Sequence, residues 1–175
     1  MVQQILLTSF ATWKAHQMGN SSDQLLAELA DSGLAESLAF LRYLPVNLPV
    51  ARSLTVGKVQ QLQPDLVVCC GMAESRWQLS VEAQATVGNS TLQPRINLAK
   101  LTAGLENTVI SQDAGRFVCN SLYHAMLNYF QSVSLNQDCL FVHVPLLTLE
   151  NRELICSDFR QLIERLLVIE SPELG

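Results

Sequence analysis

Asp65-Leu66-Val67-Val68-Cys69-Cys70-Gly71 is a run of strand length, apolar on both faces, that starts just after Gln63-Pro64 has stopped a helical pattern. A strand with no polar face has to be covered on both sides, which is the mark of a central strand in a parallel sheet. The neighbouring segments fit the same scheme. Upstream, Ala51–Leu62 reads as a helix, Pro45 to Pro49 as a turn and Leu38–Tyr43 as a strand. Before these, Gln4–Phe10 is a short apolar run with a polar loop from Ala11 to Ser21. Asn20-Ser21-Ser22-Asp23 then offers N-caps for a helix bearing Leu25, Leu26 and Leu29, which Gly33 is placed to end. Strand, loop and helix alternate at βαβ spacing, so the expected fold is three-layer α/β/α, a doubly wound, mostly parallel sheet.

Downstream the period changes. Leu79, Val81, Ala83, Ala85 and Val87 alternate with Gln78, Ser80, Glu82, Gln84 and Thr86, which predicts a half-buried strand in a hairpin extension, with Gly88-Asn89-Ser90 as its turn. A short helix near Asn97–Leu101 and a strand at Thr108–Ser111 lead to a helix carrying Leu122, Ala125, Met126 and Phe130. Asp138–Leu147 is the last strong strand. Ser157-Asp158 is expected to cap a final helix with Phe159, Leu162, Ile163, Leu166 and Leu167 on its apolar face.

The 175 residues suit a single domain spanning 1–175, long enough to bury a core without metal or disulfide. Charged residues make up 15% and hydrophobic ones 49%, yet no apolar run approaches the ~18 residues of a membrane span. Residues 1–7 lack the basic region and cleavage site of a signal peptide and read as the start of the first strand. A net charge of −5 without a basic cluster argues against nucleic acid or an anionic membrane as partner. Five cysteines without Cys-x-x-Cys or Cys/His ligand spacing indicate neither a disulfide framework nor a metal site. A reducing cytoplasm is the expected compartment, and no cofactor is called for.

In open α/β sheets ligands bind beyond the carboxyl ends of the strands. The loops after Phe10, at Gly71, before Cys119 and after Val142 are all expected there. Cys119 falls in the first turn of its helix, after Ala114-Gly115, where unpaired N–H groups and the helix dipole favour thiolate. A buried cysteine that only packs is the other reading of this residue. A nucleophilic thiol needs a base. Of three histidines, His16 lies in a loop, and His124 is about 140° round the helix from Cys119. His143 interrupts Leu140-Phe-Val-His-Val-Pro145 where apolar burial is expected, so it must find a polar partner. For a carboxylate to orient it, Glu82, Asp113 and Glu74 are all candidates.

Taken together, these motifs resemble pyroglutamyl peptidase type I from Leu6 to about Leu167. Asp113-Ala-Gly-Arg-Phe-Val-Cys-Asn120 is similar to that family's nucleophile motif, and Phe141-Val-His-Val-Pro145 to its histidine motif. Gly71-Met-Ala-Glu-Ser-Arg76 with Leu79-Ser-Val-Glu82 resembles the segment bearing its glutamate. The resemblance implies a cysteine omega-peptidase that removes N-terminal pyroglutamate, with Cys119, His143 and Glu82 as triad. It also implies substrate contacts at Phe10, Trp13, Asn20, Met72, Phe117 and Val118, a small blocked peptide as substrate, and a homo-oligomer, tetrameric in the family. Several positions depart from the family's pattern. Ala83, Gln84 and Val87 stand where a basic residue, an apolar residue and an asparagine are usual. Met72 replaces a common glutamine, and Lys14-Ala-His-Gln-Met-Gly19 replaces a glycine-rich run. Two other functions therefore remain open: a homologue that binds a small lactam or amide without efficient turnover, and an amide hydrolase for another small substrate.

Overall fold

The computed structural model describes residues 4–133 and 136–169. The part of the expected first strand before Gln4 lies outside the described residues. The elements are β1 (Ile5–Phe10), α1 (Ser21–Ala30), β2 (Leu38–Leu44), α2 (Leu48–Leu62), β3 (Leu66–Met72), β4 (Leu79–Glu82), β5 (Ala85–Val87), β6 (Ser90–Leu92), α3 (Leu98–Thr102), β7 (Thr108–Ser111), α4 (Val118–Ser132), β8 (Asp138–Val144) and α5 (Arg152–Val168). Six strands form one sheet in the order β2-β1-β3-β8-β4-β7, and β5 and β6 form a separate hairpin. This is the expected mostly parallel α/β sheet with a hairpin extension.

The two-sided apolar run is β3, central in the sheet and buried along its whole length. Even-numbered residues Leu66, Val68 and Cys70 join one core layer with Leu140 and Val142 of β8, under α1 and α5. Odd-numbered Val67 and Cys69 join the other with Cys139 and Phe141, under α2 and α4. That alternation sets the site, since it determines which side chains of β3 and β8 face α4. Each fully buried Leu or Phe in these layers stabilises the fold by about 1.5–3 kcal/mol relative to exposure.

Asparagines start four of the helices, and three of them accept from a first-turn N–H: Asn20 from Ser22, Asn47 from Val50 and Asn97 from Lys100. The turn expected at Pro45 to Pro49 gives way to helix from Leu48, because Pro49 in the first turn has no N–H to leave unpaired. At the other end of α2, Gln63 adopts a left-handed conformation at φ 48° and donates to the Val59 carbonyl.

Three expectations are corrected. The alternating segment is not one half-buried strand: β4 is buried on both faces, with Ser80 and Glu82 as buried as Leu79 and Val81, and the chain breaks at Ala83-Gln84 before the hairpin. Single-strand alternation cannot reveal that α4 covers the polar side. Second, β4 runs against β8 and β7 runs parallel to β4, so Cys119 does not follow a strand parallel to β1, β3 and β8. Its loop reaches the same region because β7 ends at Ser111, paired with Glu82. Third, α5 begins at Arg152. Asp158 lies inside it, buried, accepting from the Asn107 N–H at 2.8 Å and the Thr108 hydroxyl at 2.9 Å, so it anchors β7 instead of capping a helix.

Candidate active site

The site forms where β3, β8, β4 and the start of α4 meet. In the parallel pairing Gly71 lies opposite His143, and Cys69 opposite Phe141, so all four occupy the α4 side of the sheet. Glu82 shares that side, since Leu79 and Val81 belong to the opposite layer. His143 Nδ1 lies 2.7 Å from Glu82 Oε1, with Glu82 0% exposed. A carboxylate offers only lone pairs, so Nδ1 carries the proton and donates, which leaves Nε2 as the basic nitrogen. The imidazole also packs on Phe141, ring centroids 4.8 Å apart.

Cys119 reaches this face from the second position of α4. A Cβ added to Gly71 would stand 2.7 Å from Cys119 Sγ and 2.9 Å from Phe141 Cζ. Glycine is thus the residue that makes room for the thiol over the β3 strand, beside the residue paired with His143. The N-cap of α4, Phe117, makes no side-chain cap hydrogen bond, so the first-turn N–H groups remain available as donors. Gly115, at φ 79°, lets the chain turn into the helix, and Asp113 Oδ1 accepts from its N–H at 2.9 Å.

Burial pushes the Cys119 thiol up to about 12, with the nearby Cys69 and Glu82 charges adding to it and only its own backbone N–H opposing. The direction is opposite to the lowering expected of a cysteine in a first helical turn. Desolvation is the largest cause, since Cys119 is half-buried over Gly71 against the core layer under α4. A thiol raised in this way keeps its proton near neutral pH, so chemistry at this sulfur would need a base.

Of the other candidate carboxylates, Asp113 is turned to Gly115, and Glu74 accepts from Lys14 Nζ at 2.7 Å and Gln17 Nε2 at 2.8 Å and meets His16 Nε2 at 3.1 Å. These contacts, Lys14 first, hold the Glu74 carboxyl down at about 2. Glu74 thereby fastens the loop after β1 to the segment after β3. His124 meets Ser90 Oγ of the hairpin at 2.9 Å, away from Cys119.

The residues singled out by resemblance divide into two groups. Trp13 and Phe117 are exposed, at 44% and 84%, and Val118 is half-buried. Phe10, Asn20 and Met72 are buried: Phe10 in the core under α2 and α4, Asn20 occupied in capping α1 and reaching the Ala11 carbonyl, and Met72 with its sulfur accepting from the Ser21 N–H. Sequence reasoning assigned no role to two α4 residues that lock the site. The Asn120 amide pairs with both backbone groups of Thr86, at 3.0 and 2.7 Å, and the Tyr123 hydroxyl donates to the Glu82 carbonyl at 3.0 Å. Asn120 ends the nucleophile motif and Tyr123 lies one turn past Cys119, so helical spacing was the available signal.

A mostly parallel α/β sheet that buries a histidine–carboxylate pair beneath a helix-borne thiol has the makings of a thiol hydrolase. No family model matches the chain. It is, however, 25% identical to pyrrolidone-carboxylate peptidase 1 of Caldanaerobacter subterraneus over 82% of each chain. To the pyrrolidone-carboxylate peptidase of Brachyspira hyodysenteriae it is 23% identical, over 82% of this chain and 83% of that one. In fold it matches the crystal structure of pyroglutamyl peptidase I from Bacillus amyloliquefaciens with a TM-score of 0.81, 17% identity and 97% of both chains covered. A variant pyrrolidone carboxyl peptidase of Pyrococcus furiosus superposes with a TM-score of 0.80 at 18% identity, over 94% of this chain and 98% of that one. The resemblance to pyroglutamyl peptidase type I thus holds in sequence and in fold.

Proposed function

We propose that the protein is a cysteine-type pyroglutamyl peptidase with Cys119, His143 and Glu82 as its triad. The observation that carries this is the buried 2.7 Å contact between His143 Nδ1 and Glu82 Oε1, on the sheet face where Cys119 Sγ packs over Gly71. His143 Nε2 takes the Cys119 proton as the sulfur attacks the pyroglutamyl carbonyl, and Glu82 stabilises the imidazolium that forms. First-turn N–H groups of α4 hold the oxyanion. Collapse breaks the C–N bond as the imidazolium gives its proton to the leaving amine. Water, activated by the same imidazole, then hydrolyses the thioester and frees the thiol.

Trp13, Phe117 and Val118 supply apolar surface to the pyrrolidone ring, while Phe10, Asn20 and Met72 act from beneath, shaping the loop that holds it. The substrate class is a small peptide with a blocked N-terminus. A cytoplasmic location agrees with five free cysteines, and a homo-oligomer with the relatives' family. No described helix is long and apolar enough to cross a membrane.

The high thiol ionisation point, about 12, favours one rival, a protein that binds a lactam or amide without efficient turnover. The deciding assay compares hydrolysis of a pyroglutamyl fluorogenic amide with that of the unblocked glutamine amide. Selective release from the first, lost in Cys119→Ala, supports the peptidase. Binding of the pyroglutamyl amide without release supports the rival.

A further inference from the structure

Glu82 is fully buried, yet its two oxygens are used unequally. Oε1 takes the His143 contact at 2.7 Å and an Arg76 Nη2 contact at 3.0 Å, while Oε2 has no hydrogen-bond partner. The same Arg76 nitrogen, ion-paired with Glu82, donates a hydrogen bond to the Asp113 carbonyl at 2.7 Å, in the loop that leads into Cys119. A buried carboxylate needs a compensating charge, and a neutral imidazole gives only a hydrogen bond. Arg76 supplies that charge from the β3–β4 segment, and its planar fork fixes direction as well.

We infer that Arg76 is a positioning residue of this site, which holds the Glu82 carboxylate against His143, offsets its charge, and ties it to the loop carrying Cys119. His143 meets Glu82 of β4, Glu82 meets Arg76 from the segment after β3, and the Glu82 charge reaches Cys119 and Tyr123 of α4. Among these Arg76 is the cation, so removing it leaves Glu82 unopposed. A stronger negative field holds a proton on the imidazole to higher pH and delays its action as base. The tie to Asp113 links the carboxylate to the nucleophile loop, so its loss also misplaces the thiol.

The inference rests on the peptidase reading only for its turnover measurement. The test compares the unmodified protein with R76Q and R76K in two experiments, hydrolysis of a pyroglutamyl fluorogenic amide and the pH–rate profile of Cys119 alkylation by iodoacetamide. In R76Q kcat should fall about 100-fold with KM little changed, the scale of a displaced catalytic group. The base-dependent rise of the alkylation profile, identified by its loss in His143→Ala, should move to higher pH by about one unit. R76K keeps the charge, so its profile should stay with the unmodified protein and its kcat should lie between the other two.

An unmoved alkylation profile in R76Q overturns the inference, even if kcat falls, since that pattern is a purely structural loss. A moved profile in a protein that never cleaves the pyroglutamyl amide leaves Arg76 in its role and sinks the peptidase reading instead. Should R76Q not fold, E82Q is compared with E82Q/R76Q, in which both partners are neutral. The double variant's profile should lie at higher pH than that of E82Q, and coincident profiles overturn the inference.

Discussion

At the scale of single residues the site depends on a glycine as much as on its reactive groups. Gly71→Ala would drive a methyl group to 2.7 Å from Cys119 Sγ and 2.9 Å from Phe141 Cζ in a central strand. Neither neighbour is the free end of a flexible chain, so the expected cost is about 1–3 kcal/mol of stability. Turnover should fall further than stability does, measured as kcat/KM on folded protein, because the displaced atom is the proposed nucleophile. Cys119→Ala and His143→Ala should each abolish hydrolysis, and together do no more harm than either alone, since such groups act as a unit. Glu82→Gln is expected to be milder, because the amide still accepts from Nδ1 but loses the charge that stabilises imidazolium. A rate in Glu82→Gln equal to the unmodified protein's would remove Glu82 from the triad.

At the scale of elements, two buried side chains connect a helix to the strand beside it. Asp158 of α5 satisfies Asn107 and Thr108 at the start of β7, the strand whose end leads into the Cys119 loop. Asp158→Ala leaves two donors unpaired in a buried place and is expected to cost about 1–3 kcal/mol each in the worst case. Urea unfolding should show this as a lower midpoint with an unchanged slope, and a midpoint within error of the original would refute it. Tyr123→Phe removes the donor to the Glu82 carbonyl at the same order of cost. Its effect on kcat should stay smaller than that of Glu82→Gln, because the carboxylate keeps both contacts to Oε1.

Across the whole molecule, ionisation couples to folding most clearly through the thiols. Burial raises Cys119 to about 12, and burial with the Glu28 contact does the same to Cys156, from an ordinary value of 9.0. A raised ionisation point means that the folded state keeps its proton longer than the unfolded chain. Both states are protonated below about pH 9, so this contribution is fully present there and is lost as pH rises from 9 towards 12. Stability should therefore fall on the alkaline side, and Cys119→Ala should flatten part of that fall when denaturant midpoints at pH 8 and pH 10.5 are compared. An identical alkaline slope in the variant would contradict the burial account of the thiol.

The sequence alone determined the central strand, the helices and the expectation of which residues carry the chemistry. Continuous apolar burial in Leu66–Cys70 predicts a central strand, and helical spacing predicts α1, α2 and α4, because both patterns are local consequences of which faces avoid water. His143 is legible for a related reason: a polar ring inside an apolar run requires a partner. What only the tertiary structure decided is which groups those partners are and what state they are in. Glu82 reads as an exposed strand residue until α4 is packed over it, and the antiparallel β4 is visible only in its pairing with β8. Arg76, Asn120 and Tyr123 bond to segments distant in sequence, so helical spacing can place Asn120 and Tyr123 beside Cys119 but cannot name their partners. The Cys119 thiol is the clearest case. Its place in the first helical turn argues for a thiolate, but burial over Gly71, 48 positions away in the chain, pushes the thiol up instead. Local sequence sets the field along the helix axis, whereas the surrounding dielectric is set by distant parts of the chain that only folding brings together.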